Sequence, residues 1–92
     1  MRVPIEDAID LHPFRPEEVR SVVEEYLEEA WAAGFREVRL IHGRGTGVQR
    51  RSVRELLSRH PRVESFADAP PGRGGWGATL VRLRPGPQAS AG

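Results

Sequence analysis

The sequence predicts an α/β (α+β) two-layer sandwich, in which two helices pack on a four-stranded mixed sheet in the order β-α-β-α-β-β. Three observations carry this expectation. An amphipathic helical stripe runs through residues 19–31. Two short apolar runs, Glu37–Ile41 and Ala78–Leu83, have strand composition, and turn-forming glycines stand between the patterned segments. Two helices and four strands within about 85 residues suit two packed layers around one core, and a chain of 92 residues makes one domain.

Residues 3–11 place Val3, Ile5, Ile9 and Leu11 at odd positions and Glu6, Asp10 and His12 at even ones, an alternation that predicts a strand. Pro13 and Pro16 end it. Pro16 suits the first position of a helix, and Glu17 and Glu18 favour its positive end. In the first helix Val19, Val22, Val23, Tyr26, Leu27, Ala30 and Trp31 follow the i, i+3, i+4, i+7 spacing, so Tyr26 and Trp31 are read as packing residues. Glu24, Glu25, Glu28 and Glu29 form the solvated face, and Gly34 is the stop. Glu37–Ile41 is the second strand. A crossover of this length implies that it runs parallel to the first.

After the glycine loop, residues 48–59 read as the second helix, with Val53, Leu56 and Leu57 as its apolar face and His60-Pro61 as its end. His60 is read as a structural cation at a helix C-terminus. Residues 63–66 form a short third strand, residues 69–77 a loop of turn formers, and Ala78–Leu83 the fourth strand, antiparallel to the third. The domain is expected to span residues 1–84. Residues 85–92, rich in Pro, Gly, Ser and Ala, are expected to fray as a tail.

Charge is split along the chain. Residues 1–33 hold nine acids and three Arg, a balance of −6. Residues 34–92 hold four acids and eleven Arg, a balance of +7. A polyanion partner for the basic part is expected. The absence of cysteine excludes disulfide frameworks and cysteine zinc sites. No apolar run approaches the roughly 20 residues that span a bilayer, and the N-terminus lacks the signature of a secretion signal. A soluble cytoplasmic protein with no membrane partner is expected.

Parallel strands bring their C-terminal ends to one sheet edge, where ligands of open α/β sheets bind. Asp10 and His12 end the first strand and His42 ends the second, so the two groups are expected to converge. Histidine titrates near 6.5, which suits proton transfer. A carboxylate two residues from His12 would hold its tautomer. The loop Gly43-Arg44-Gly45-Thr46-Gly47 resembles an anion cradle: glycines let backbone N–H groups approach a phosphate, the next helix offers its positive end, and Arg44, Arg50 and Arg51 can fork onto phosphate oxygens. It is neither a P-loop nor a dinucleotide fingerprint. Arg73 and Trp76 stand among glycines. Trp76 suits a stack on a base or on Arg73, and equally a cover over the sheet end. Two His and one Asp are also donors for a metal, but no acidic cluster of the two-metal kind accompanies them, so no cofactor is implied.

These residues carry a family resemblance. The chain resembles Smr (small MutS-related) domains. Ile9-Asp10-Leu11-His12 matches the Leu-Asp-x-His motif of that family, and Ile41-His42-Gly43-Arg44-Gly45-Thr46-Gly47 matches its His-Gly-x-Gly loop. His60-Pro61-Arg62-Val63 follows the second helix, and Gly74-Gly75-Trp76-Gly77-Ala78-Thr79 matches its late glycine-rich stretch. The resemblance runs from about residue 5 to 84 and suggests the short stand-alone type. It implies a fold similar to the C-terminal half of bacterial translation initiation factor three. It also implies endonuclease activity, as nicking of DNA or as cleavage of RNA, including on stalled ribosomes. Carried over by position, Asp10 and His12 are the functional pair, and His42, Gly43 and Gly45 belong to the second motif. Arg44 stands where many members have Lys, Pro13 where Gly is common, and Trp76 where a polar residue is often found.

The expected function is therefore a nucleic-acid endonuclease. His12, oriented by Asp10, takes a proton from the attacking oxygen and His42 gives one to the leaving oxygen, or the roles are reversed. Arg44 and the N–H groups of Gly43, Gly45, Thr46 and Gly47 hold the charge on the phosphate. On RNA the internal 2′-hydroxyl serves as nucleophile without a metal. The alternative is a non-enzymatic module that docks on nucleic acid or a ribosome. A third reading is a small phosphate or nucleotide binder.

Overall fold

A computed structural model describes residues 5–43 and 47–87. The elements are β1 (Ala8–Asp10), α1 (Pro16–Ala32), β2 (Glu37–Ile41), α2 (Val48–Leu57), β3 (Val63–Asp68) and β4 (Ala78–Leu83), in the expected order. Together they make the expected four-stranded mixed sheet with two helices.

The local chemistry explains each boundary. Arg15 N–H donates to Glu18 Oε1 (3.0 Å), the carboxylate half of a capping box, and Pro16 follows at the first helical position. At the other end Gly34 N–H reaches Trp31 O and Phe35 N–H reaches Ala30 O, the paired bonds of a Schellman stop. β1 is shorter than the alternation suggests. Its ladder with β2 runs only from Asp7, whose carbonyl accepts Arg39 N–H, to Leu11, whose N–H donates to Ile41 O at 2.8 Å. β3 is longer than expected because its pairing with β4 continues to Asp68↔Thr79, past an irregularity between Val63 and Ser65. The loop before β4 is two 3-10 turns, Pro71–Arg73 and Gly75–Gly77.

The sheet order is β1-β2-β4-β3. β1 and β2 are parallel, as the crossover predicts, and β4 is antiparallel to β3. Sequence periodicity does not say that β4 enters between β2 and β3, antiparallel to both. Both helices lie on one face and share a core with Leu11, Val38, Leu40, Val81 and Leu83. Alternation sends Arg39, Leu80 and Arg82 to the other face. The helices carry part of the charge split: α1 has six Glu and one Arg, and α2 has Arg50, Arg51 and Arg54 against Glu55.

Two of the expected structural roles are filled in detail. His60 Nδ1 accepts Arg62 N–H (3.1 Å), and its Nε2 lies 3.6 Å from Glu28. The Arg62 guanidinium lies 3.7 Å from the centre of the half-buried Trp31 ring. Trp31 Nε1 donates to Pro85 O, so the segment expected to fray is tied down where it begins. Residues 88–92 of that segment and residues 1–4 of the first expected strand lie outside the described residues. Among the described residues no helix is long and apolar enough to cross a membrane.

Candidate active site at the edge of β1 and β2

The ends of β1 and β2 converge as parallel pairing requires. Asp10 Oδ1 accepts two hydrogen bonds from His12, from the backbone N–H at 2.9 Å and from ring Nδ1 at 2.8 Å. These bonds, the backbone one first, hold the Asp10 carboxyl below its ordinary value. An ionised carboxylate can only accept, so Nδ1 carries the hydrogen, and in the neutral ring Nε2 holds the lone pair. The pair is open to solvent, with 63% of the His12 side chain exposed. Nε2 lies against Gly43: a Cβ there would come within 2.6 Å of it. Gly43 also has φ +81°, where any side chain is strained. The first two motifs are thus in direct contact, thirty residues apart in sequence.

His42 is placed differently from the expectation. It follows Val38 and Leu40 on the helix-facing side of β2, so its ring enters the core, and the residue is 5% exposed. Nδ1–H donates to Gly43 O (2.9 Å), and Nε2 accepts from the Thr79 hydroxyl (2.9 Å). Thr79 is itself fully buried on β4. Both ring nitrogens of His42 are thus engaged within the core, whereas the spacing set it beside His12 at the sheet edge. It holds the Gly43 peptide, and Gly43 in turn supports His12. Thr79 stands in the late glycine-rich motif, but the sequence reading gave it no role in the site. The readable signal was a hydroxyl at the same strand parity as Val81 and Leu83, facing the core.

Burial pushes the His42 ring down from 6.5. The bond to Gly43 O opposes that shift, and the Arg50 charge adds to it. The unfolded chain therefore binds the proton more readily, and acid favours unfolding. The contribution of His42 is present above pH 6.5 and is lost as pH falls below it, ahead of the losses from the depressed carboxyls of Asp10 and Asp68 near and below 3.8. Denaturant unfolding at stepped pH is expected to show a fall in stability below pH 6.5 that flattens in His42→Asn. Equal slopes in the two proteins would contradict this account.

Arg44, Gly45 and Thr46 of the expected anion cradle lie outside the described residues. Its two ends are described. The Gly43 N–H, expected to face a phosphate, donates to Gly77 O (2.9 Å), which also accepts His42 N–H (3.1 Å). At the other end Gly47 is the N-cap of α2. Among the described residues no side chain caps this helix and no acid lies in its first turn, so its positive end suits an anion. Arg51 is exposed beside them. Arg50 and Arg54 both bond Asp68 Oδ1, at 2.7 and 3.0 Å. The Arg50 bond is the main cause that lowers the Asp68 carboxyl. Trp76 stacks on Arg50, with the guanidinium 4.9 Å from the ring centre, and not on Arg73. Arg73 turns to Glu37 (3.7 Å), and its carbonyl accepts from Arg39 (3.1 Å), away from this cluster. The cause is the turn at Gly74 and Gly75, both at positive φ, which separates Arg73 from Trp76. Asp68, Arg54 and Phe66 join the site without any sequence motif. Among the described residues no three His, Asp or Glu side chains gather around a point that could hold a metal ion.

The same architecture recurs in known proteins. The Smr domain model matches residues 9–84, from β1 to the end of β4. Endonuclease MutS2 of Thermus thermophilus is 53% identical over 77 residues, which are 84% of this chain and 10% of that protein. The chain thus spans about a tenth of the length of the curated relatives it matches. The crystal structure of the Smr domain of Thermus thermophilus MutS2 superposes with a TM-score of 0.83 at 51% identity, covering 87% of this chain and all of that one. YdaL, a stand-alone small MutS-related protein from Escherichia coli, superposes with a TM-score of 0.81 at 32% identity, over 88% of this chain and 66% of that one. The Asp10–His12 pair set against Gly43 is therefore built on the fold of MutS-related domains, and this chain belongs to the Smr domain family.

Proposed function

We propose that this chain is a nucleic-acid endonuclease in which His12 moves the proton and Asp10 orients it. The observation that carries this reading is the doubly bonded Asp10 carboxylate, which leaves His12 Nε2 with a free lone pair at Gly43, where the basic loop begins. The endonuclease name of the MutS2 relatives agrees with it.

On RNA, Nε2 takes the proton of a 2′-hydroxyl as that oxygen attacks the adjacent phosphorus. The bond to the 5′-oxygen breaks, and the leaving oxygen takes a proton from solvent. The products are a 2′,3′-cyclic phosphate and a 5′-hydroxyl. The positive end of α2 and the exposed Arg51 offset the charge that grows on the phosphate. His42 is a positioning residue: through Gly43 O it fixes the peptide against which His12 rests.

A cleavage time course on end-labelled single-stranded RNA, single-stranded DNA and duplex DNA, with EDTA present, tests the reading. RNA is expected to be cut and to carry cyclic phosphate ends. No cutting of any strand, with salt-dependent binding intact, would make the chain a binding module. DNA nicked only after Mg²⁺ is restored would move Asp10 and His12 to a metal-assisted role.

A further inference from the structure

We propose that the cleft between α2 and Trp76 holds one unpaired base, so that the site takes single-stranded nucleic acid or a strand with an unstacked nucleotide. This rests on the nuclease reading above and adds the form the strand must have.

The cleft has a volume of about 540 Å³, and Gly47, Arg50, Arg51, Arg54, Phe66 and Trp76 line it together with Glu55. Its walls are flat groups held in place. Trp76 is 42% exposed, and its indole edge lies so close to Gly47 that a Cβ there would sit 3.3 Å from Cη2. Arg50 lies over Trp76 and Arg54 lies 5.1 Å from the centre of Phe66. Asp68 bonds both guanidinium groups, so neither has to be ordered when a ligand arrives.

The charge balance decides between a base and a phosphate. Three Arg against Glu55 in the lining, with Asp68 bonded behind two of them, leave a balance of +1. A phosphate on Arg50 or Arg54 would bring its charge beside the Asp68 carboxylate that both already bond. A base needs only the aromatic and guanidinium faces, which every base can use through its own π-face.

Placement ties the cleft to the chemistry. His12 fills the space where a Cβ on Gly43 would stand, and Trp76 lies within 3.3 Å of where one on Gly47 would stand. Four residues of chain reach at most about 14 Å, or about four nucleotides at the stacked rise of roughly 3.4 Å. A strand that places a base on Trp76 therefore runs within reach of His12. A base still paired in a duplex presents its edge in a groove and not its face, so it cannot fill this cleft without flipping out.

The test uses protein carrying fluorotryptophan at its two Trp positions, 31 and 76. Trp31, packed under Arg62, serves as the internal reference. The probes are a short 2′-O-methyl oligoadenylate, which lacks the nucleophile, its abasic counterpart with the same phosphates, and its duplex. The Trp76 fluorine resonance is expected to shift with the oligoadenylate only, while that of Trp31 stays in place. Trp76→Ala is expected to weaken single-strand binding about 10- to 100-fold with an unchanged salt slope, and Trp76→Phe to recover most of it. An equal shift with the abasic strand or the duplex, or unchanged affinity in Trp76→Ala, overturns the proposal. Silence of the resonance with every strand also overturns it and leaves the cleft to a protein partner. No cleavage enters these titrations. Uncut RNA with a responding Trp76 resonance removes the nuclease reading alone, and RNA cut equally by Trp76→Ala with a silent resonance removes the stacking site alone.

Discussion

His12→Ala is expected to slow strand cleavage by about 10²–10⁴-fold, the contribution of one positioned base, while affinity for an uncleavable strand stays near that of the wild type. The ring is largely exposed and its hydrogen bonds are to Asp10 two residues away, so its removal leaves no buried partner unsatisfied. Asp10→Asn separates orientation from charge. An Asn at this position can still accept the backbone N–H of His12. It can, however, also present its NH₂ to Nδ1, which favours the tautomer with Nδ1 as acceptor and the hydrogen on Nε2. That tautomer cannot accept a proton at Nε2, so a rate loss approaching that of His12→Ala is expected with little change in folding. The check is single-turnover cleavage beside thermal unfolding for each variant. Equal losses of binding and rate in His12→Ala would place the ring in strand recognition and not in proton transfer.

Gly43→Ala is expected to damage both stability and rate, for two separate reasons. The backbone there has φ +81°, and forcing a side chain into that region costs roughly 1–2 kcal/mol. The new Cβ would also lie 2.6 Å from His12 Nε2, well inside contact distance. The imidazole is the mobile partner, so it would swing away and stretch its bond to Asp10. A displacement of about 1 Å at a reacting group can cost roughly 10²-fold in rate. The expected result is a modest fall in unfolding free energy with a rate loss far larger than that fall explains. A comparison of cleavage rate and denaturant stability in the same preparation checks it. A rate loss no greater than the loss of folded protein would mean that His12 does not depend on its contact with Gly43.

The convergence of Asp10 and His12 with the end of β2 needed no structure. Alternation at Ile9 and Leu11 puts Asp10 on the opposite side of its strand, and one helix between two strands makes them parallel, so their ends meet. His42 shows where that logic stopped short. Its parity with Val38 and Leu40 was present in the sequence, and it pointed into the core and not to the edge. Proximity in the motif outweighed it. Thr79 was legible on the same grounds, as a hydroxyl in register with Val81 and Leu83. Asp68 was not: its role comes from two Arg that are fourteen and eighteen residues away.

What the sequence determined by itself is mostly the set of properties that arise within a few residues: the α1 stripe, its Pro start and Gly stop, the strand alternation and the basic α2. These follow from backbone periods of 3.6 and 2, which act locally. The tertiary structure alone decided that β4 enters between β2 and β3. That insertion brings Gly77 O onto the His42 and Gly43 N–H groups, sets Thr79 under the His42 ring, and lays Trp76 on Arg50 in place of Arg73. Each of these is a contact between segments more than twenty-five residues apart, and each is selected by the packing of the whole core. No local period encodes such a choice, because many strand orders satisfy the same alternation.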